Sequence, residues 1–135
     1  MGQGDTLCGM SDGGKKKLLI VQVAALSRDP GADGLAFRET ASVFPAVTCT
    51  VQASFRTAMP PREHGVVGNG WTFRELGRPM FWEQSAALVS GRRIWDDFRR
   101  RGHSVGMLFW QQSLGEDVDV LLTPAPIHKH HGGMI

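Results

Sequence analysis

A continuous apolar run, Leu18–Leu26, limits the folds open to this chain more than any other feature. The run is rich in Leu, Val and Ile, and Gln22 is its only strongly polar residue. A membrane-spanning helix needs about 20 apolar residues, so we expect no membrane span in this chain. A short run of this composition is typical of a strand that is buried on both faces of a parallel sheet. It therefore predicts an α/β fold whose first strand is Leu18–Leu26.

Composition and charge exclude two broad classes of protein. The chain has 135 residues, which suits one domain, and it is 41% hydrophobic and 21% charged. Low hydrophobicity with high net charge would indicate disorder, and this chain has neither. Its net charge of +2 comes from 15 basic and 13 acidic side chains. That balance does not favour a nucleic acid polymer as partner.

The first residues predict a leader rather than part of the fold. Residues 1–14 are Gly-rich and without periodicity, so we expect a disordered leader followed by a folded region over 15–135. Lys15–Lys17 before the apolar run are similar to the start of a signal peptide, but no small-x-small cleavage site follows. Cys8 and Cys49 do not form a disulfide framework. These features together predict a cytoplasmic protein.

Periodicity predicts a first helix over 48–57. Thr48 lies at or near its N-terminus, and the residues that follow it by helical spacing predict a buried face of Val51, Phe55 and Ala58. Met59-Pro60-Pro61 ends this helix.

A second helix and two further strands are predicted in the second half of the chain. Ser90 is the predicted N-cap of the helix, and Gly102 is its predicted stop. Its predicted buried stripe is Ile94, Trp95 and Phe98. Apolar runs at 104–110 and 119–123 predict two strands. The order strand, helix, helix, strand, strand predicts an α/β sandwich with a partly parallel sheet.

Two polar residues, one at the start of the first helix and one in the loop after it, could together bind an anion. A helix N-terminus at Thr48 offers free N–H groups and the positive end of the dipole to an oxyanion or phosphate. Asn69 follows Gly-flanked positions and could present its amide to a phosphoryl oxygen. Composition and spacing alone favour the simpler interpretation, in which Thr48 is an N-cap and Asn69 a turn residue.

The segment 44–69 resembles the nucleophile segment of type I phosphodiesterases and nucleotide pyrophosphatases, in the alkaline phosphatase superfamily. The family pattern has a Pro-x-x-Thr nucleophile, a helix ending near Thr-Gly, and a Pro-x-x-His-Gly motif followed by an Asn. Without a gap, this chain has Pro45-x-x-Thr48, Thr57-Ala58 and Pro61-x-x-His64-Gly65-Val66-Val67-x-Asn69. Phe109-Trp110 and the stretch 78–82 resemble later family positions, so the likeness covers roughly residues 17–115.

The resemblance implies a fold and a reaction. The fold is an alkaline-phosphatase-like α/β sandwich with a mainly parallel sheet, of which this chain would be the N-terminal part. Two divalent metal ions, usually zinc, lie at the ends of the strands, and Thr48 would bind one of them. Thr48 would attack phosphorus, while Asn69 would hold a non-bridging oxygen. The substrate class is a small phosphodiester or a nucleotide, cleaved through a phospho- or nucleotidyl-threonine.

Two departures from the family pattern open other interpretations. Ala24 stands where the family has a metal-binding Asp, and neither Gln22 nor Asp29 is a suitable replacement. The family's later ligands correspond to positions beyond residue 135, so a truncated hydrolase is expected. A degenerate member that keeps the fold for binding, or a fragment that folds poorly, are the alternatives.

Other conspicuous residues favour structural interpretations. His128, His130 and His131 lie together, but without a carboxylate they are interpreted as a loop rather than a metal site. The run 99–101 is interpreted as the solvated end of a helix. Cys49 is expected to be packed and inert. The four tryptophans are interpreted as core or near-core residues: Trp71, Trp82, Trp95 and Trp110.

Overall fold

The computed structural model describes residues 17–24 and 38–125, which belong to two units divided between Phe37 and Arg38. The predicted leader 1–14 and the histidines at 128–131 lie outside the described residues. No helix of the described ranges combines the length and apolar character needed to cross a bilayer.

The predicted first strand is wrong over the part that is described. Residues 18–24 form no strand, and the side chains of Leu18, Leu19 and Val21 are exposed. Residues 25 and 26 lie outside the described residues. An apolar run becomes a buried strand only where neighbouring strands satisfy its backbone and cover its faces. No described residue pairs with this run.

The second unit contains three α-helices and four strands within its described residues. Helix α1 is Thr48–Thr57, α2 is Pro61–His64 and α3 is Asp96–Arg100. The strands are β1 (Gly70–Phe73), β2 (Arg78–Phe81), β3 (Gly106–Leu108) and β4 (Val120–Leu122). Short 3-10 turns lie at Arg74–Leu76 and Ala86–Leu88.

The strands form two small sheets of opposite type. β1 and β2 make an antiparallel hairpin in which Gly70 lies opposite Phe81. β3 and β4 are parallel, with Met107 opposite Leu121. The α/β class is therefore confirmed, whereas a mainly parallel sheet is not found among the described residues. The hairpin was not predicted, because Gly77 and the charged residues beside it hid the two short β-rich stretches.

Helix α1 buries a different face from the predicted one. Cys49 and Ala53 are fully buried and form a core cluster with Val66 and Val89, against which Trp71 and Trp82 pack. On the predicted face, Val51 is only partly buried, and Phe55 and Ala58 are exposed. Small side chains let α1 lie close to its neighbours, so the buried face follows residue size and hydrogen bonding rather than hydropathy.

The loop 109–119 between β3 and β4 is fixed to α1 by polar groups. Arg56 Nη1 donates to Gln112 O at 2.6 Å and to Glu116 Oε1 at 3.2 Å. Gln111 N–H donates to Gln52 Oε1 at 2.8 Å. These contacts explain how a helix with a buried Arg and Gln can belong to the core.

Helix α3 begins later than predicted. It starts at Asp96, with Trp95 as its N-cap residue, and Ser90 instead donates its N–H to His64 O at 3.0 Å. Asp96 and Asp97 in the first turn complement the helix dipole, which helps to set this start. The stop is confirmed, since Gly102 follows the helix in a left-handed conformation. The predicted stripe is wrong at Ile94 and Phe98, which are exposed.

Candidate functional site

The N-terminus of α1 is open at its first amides. Thr48 is the first helical residue and Val47 is the N-cap, with no side-chain capping bond. The first amide of the helix that makes a helical i→i−4 hydrogen bond is Val51 N–H, which donates to Val47 O at 2.9 Å. The amides of Thr48 and Thr50 make no hydrogen bond to the described residues, but Thr50 is fully buried, so only the Thr48 amide is partly accessible. Such free donors at a helix start are suited to an oxyanion.

Asn69 lies at this same helix start. Its side-chain Oδ1 accepts the N–H of Cys49 at 3.0 Å, which places the amide beside the first turn. Its backbone O accepts the N–H of Trp82 at 2.9 Å, so both the main chain and the side chain are fixed. Asn69 Nδ2 makes no hydrogen bond to the described residues. The structure therefore brings Thr48 and Asn69 together, as the sequence predicts.

This geometry answers the open question about capping. Thr48 is not the N-cap, because Val47 occupies that position. Asn69 is more than a turn residue. Although it lies 20 positions from Cys49 in the sequence, its side chain accepts the Cys49 N–H, as the side chain of an N-cap residue normally does for a first-turn amide. Asn69 Oδ1 therefore bonds to the helix, while Asn69 Nδ2 can donate to another group.

His64 lies beneath the loop that carries Asn69 and was missed as a structural residue. It is fully buried, its Nδ1 accepts Val66 N–H at 3.1 Å, and its Nε2 lies 2.8 Å from Ser54 Oγ. Burial, with the nearby Arg56 charge, holds the pKa of His64 below its usual range. An Nδ1 that accepts a hydrogen bond puts the proton on Nε2. The imidazole therefore donates to Ser54 and cannot serve as its general base.

Arg56 is the other buried residue that sequence reasoning missed. Its side chain is fully buried, and its Nη1 donates to Gln112 O and to Glu116. Burial lowers its pKa to about 10, and Arg93 adds to the fall while Glu116 opposes it, so it stays charged at neutral pH. Helical spacing from the small residues Cys49 and Ala53 would have placed Arg56 on their face.

The described residues contain no group of side chains that could hold a metal ion. Among residues 17–24 and 38–125, no three His, Cys, Asp or Glu side chains are grouped to hold an ion. Ala24 is described as an exposed turn residue and offers no ligand atom. Cys49 is buried, and burial raises the pKa of its thiol, with Gln112 and Arg56 opposing the rise. A protonated thiol is a poor metal ligand.

Comparison with known families agrees with the motif at this site. The family model described as type I phosphodiesterase / nucleotide pyrophosphatase matches residues 24–130. The match includes α1, Asn69 and both small sheets. Searches of curated proteins and of solved structures return no match.

Proposed function

The chain belongs to the type I phosphodiesterase/nucleotide pyrophosphatase family, and we propose that residues 48–69 are the nucleophile segment of a phosphodiester-hydrolysing site. The observation that carries the proposal is the hydrogen bond from Cys49 N–H to Asn69 Oδ1. This bond holds the side-chain amide of Asn69 at the first turn of α1, beside Thr48, which corresponds to the nucleophile of the family. The proposed substrates are small phosphodiesters and nucleotides.

In this proposal the helix start binds the phosphoryl group. The amide of Thr48, with Asn69 Nδ2, would donate to the non-bridging oxygens as negative charge develops on them. Thr48 Oγ would form a bond to phosphorus while the bond to the leaving alkoxide breaks, and the proton lost from the hydroxyl would end on the leaving oxygen. Water would then hydrolyse the phosphothreonine, releasing the second product and restoring the hydroxyl.

Activation of the hydroxyl is the step that the described residues do not supply. A neutral threonine needs a base or a metal to become a nucleophile, and the tautomer of His64 excludes it as that base. The family resemblance implies two divalent ions, of which zinc is the usual one. The described ligand set does not fit such a centre. We therefore assign to these residues phosphoryl binding and attack alone.

Binding of an anion at the helix start tests the proposal directly. A ¹⁵N-labelled chain is titrated with adenosine monophosphate and followed by NMR. We expect shifts of the Thr48 amide and of the Asn69 side-chain amide. Asn69→Asp keeps an acceptor for Cys49 N–H but loses the donor and repels the anion, so binding should disappear while the helix remains. Shifts confined to other residues would contradict the proposal.

A second function, binding without hydrolysis, is favoured by Ala24. A family member that lacks this carboxylate would hold its metals less well and could keep the phosphoryl site for binding alone. Turnover of bis(4-nitrophenyl) phosphate with added Zn²⁺ separates the two functions. Turnover that Thr48→Ala abolishes, and that the exposed control Thr72→Ala preserves, supports the hydrolase. Binding at the helix start with no such turnover supports the binding protein.

A further inference from the structure

The loop that carries Asn69 is attached to α1 at both of its ends. At one end Asn69 accepts the N–H of Cys49, and at the other His64 contacts Ser54 Oγ. Cys49 and Ser54 are separated by about 7.5 Å along the helix, from a rise of about 1.5 Å per residue. The loop therefore lies along α1 for more than one turn, and His64 is its second attachment.

Besides the bond from its own N–H to Pro60 O at 3.3 Å, three hydrogen bonds fix His64. Its Nε2–H donates to Ser54 Oγ at 2.8 Å, and its backbone O accepts Ser90 N–H at 3.0 Å. The third bond runs from Val66 N–H to Nδ1 at 3.1 Å. Only a neutral imidazole can make the first and third bonds together, because protonation would turn Nδ1 into a donor facing another donor.

The bond to Val66 sets the direction in which the chain leaves His64. Gly65, between the two residues, has φ +81°, a left-handed conformation that turns the chain back toward α1. Val66 is then fully buried in the cluster with Cys49 and Ala53. Asn69 follows three positions later, so its placement depends on how the chain leaves this turn.

We propose that His64 is a positioning residue whose bond to Val66 N–H keeps Asn69 at the first turn of α1. The consequence for phosphoryl binding rests on the proposed function. The positioning role itself does not rest on the proposed function, because it concerns only where the Asn69 side chain lies. The same tautomer argument distinguishes this role from a Ser–His catalytic pair, in which Nε2 would have to accept the proton of Ser54.

Two isosteric variants separate the two side-chain bonds of His64. His64→Asn places an amide oxygen near the position of Nδ1, so it can still accept Val66 N–H. His64→Gln places an amide nitrogen near Nε2, so it can still donate to Ser54 but has no acceptor for Val66. The readout is amide hydrogen exchange at Cys49, whose N–H is held by Asn69, relative to Ala53 in the middle of the same helix.

We expect exchange at Cys49 relative to Ala53 to rise about tenfold in His64→Gln and in Asn69→Ala, which is the effect of losing one hydrogen bond. His64→Asn should stay within about twofold of the original chain, because it keeps the acceptor. Equal acceleration at both amides would mean a loss of overall stability and would overturn the proposal. So would an unchanged Cys49 in His64→Gln.

A measurement on the unaltered chain covers the case in which a variant does not fold. The ¹⁵N chemical shifts of the His64 ring identify its tautomer at pH 7.5. We expect an unprotonated Nδ1 that is coupled to the Val66 amide proton, and a proton on Nε2. A proton on Nδ1 would overturn the proposal. If the tautomer and exchange results hold while adenosine monophosphate fails to bind, the positioning role stands and the proposed function fails.

Discussion

At the scale of single residues, the largest burial cost falls on Arg56. Its guanidinium is fully buried, and its Nε and Nη2 have no partner among the described residues. Glu116, whose side chain is only 4% exposed, is shared between Arg56 and Arg93. One carboxylate thus compensates two cations, so its charge matters more than that of a surface partner.

Glu116→Gln should therefore be strongly destabilising. It would leave Arg56 and Arg93 without a counter-charge, and we expect the free energy of unfolding to fall by about 3 kcal/mol. Urea denaturation measures the change. The control is Glu63→Gln, which removes an exposed pair with Arg62 and should cost less than about 1 kcal/mol. Equal effects of the two variants would show that Glu116 is not the essential counter-ion.

The depressed pKa of His64 predicts how stability depends on pH. The unfolded chain protonates His64 near pH 6.5, about its ordinary value, whereas the folded chain does so only at lower pH. The free energy of unfolding should be highest above that pH and should fall as the pH drops below it toward the folded pKa. Urea midpoints between about pH 7.5 and 5 would show the slope.

Two histidine variants assign that slope. His64→Asn cannot take up the proton and should flatten the pH dependence. The same substitution at the exposed His103 is the control. A slope that persists in His64→Asn would place the responsible group elsewhere.

At the scale of elements, the C-terminal end of α1 departs from the usual chemistry of helix ends. Ala58 is the C-cap residue with φ +55°, a left-handed conformation that favours glycine. In the family pattern this position is glycine. A Cβ in this conformation costs about 1 kcal/mol.

Ala58→Gly should consequently stabilise the chain by up to about 1 kcal/mol, since it removes that strain. Thermal unfolding midpoints would detect the gain. Ala87→Gly is the matched control: Ala87 is exposed, lies in the turn Ala86–Leu88 and has no positive φ, so glycine there should destabilise by about 0.5–1 kcal/mol. A loss of stability in Ala58→Gly would contradict the strain argument.

Elements that depend on local signals could be predicted from the sequence, and those that depend on distant partners could not. The start of α1 at Thr48 and its end before Met59-Pro60-Pro61 follow from a helical pattern and two prolines. Its buried face could not be read from hydropathy, because Arg56 is accepted into the core only through groups of the loop 109–119. The strand expected at Leu18–Leu26 failed for a related reason: a strand requires a neighbour.

At the scale of the whole molecule, the candidate site could be anticipated because its parts are close in sequence. Thr48 and Asn69 belong to one helix and the loop after it, so the family spacing was enough to pair them. The hydrogen bond between His64 and Ser54, which attaches the loop of Asn69 to α1, could not be predicted from sequence spacing. His64 was visible as a motif residue, but its contact with Ser54 depends on how α2 turns back against α1.

A prediction about metal binding tests the alignment at Ala24. In a full-length homologue that carries the same segment 23–26 and supplies the later family ligands, a carboxylate at the position of Ala24 should tighten binding of the second zinc ion by at least about tenfold, since even an indirect partner of a metal ligand contributes that much. Ala24→Asp should show this by calorimetry. Ala25→Asp, one position away, should not. Equal affinity in both variants would mean that the family alignment at this segment is wrong.

The bond between Arg56 and the loop 109–119 also sets an order of events during synthesis. Gln112 and Glu116 lie 56 and 60 positions after Arg56. At about 5–20 residues per second, a ribosome adds that length in roughly 3–12 s. Until then Arg56 lacks its native counter-ion Glu116, so the hydrogen bond between Asn69 and the start of α1 can form before the far end of the same helix acquires its partners.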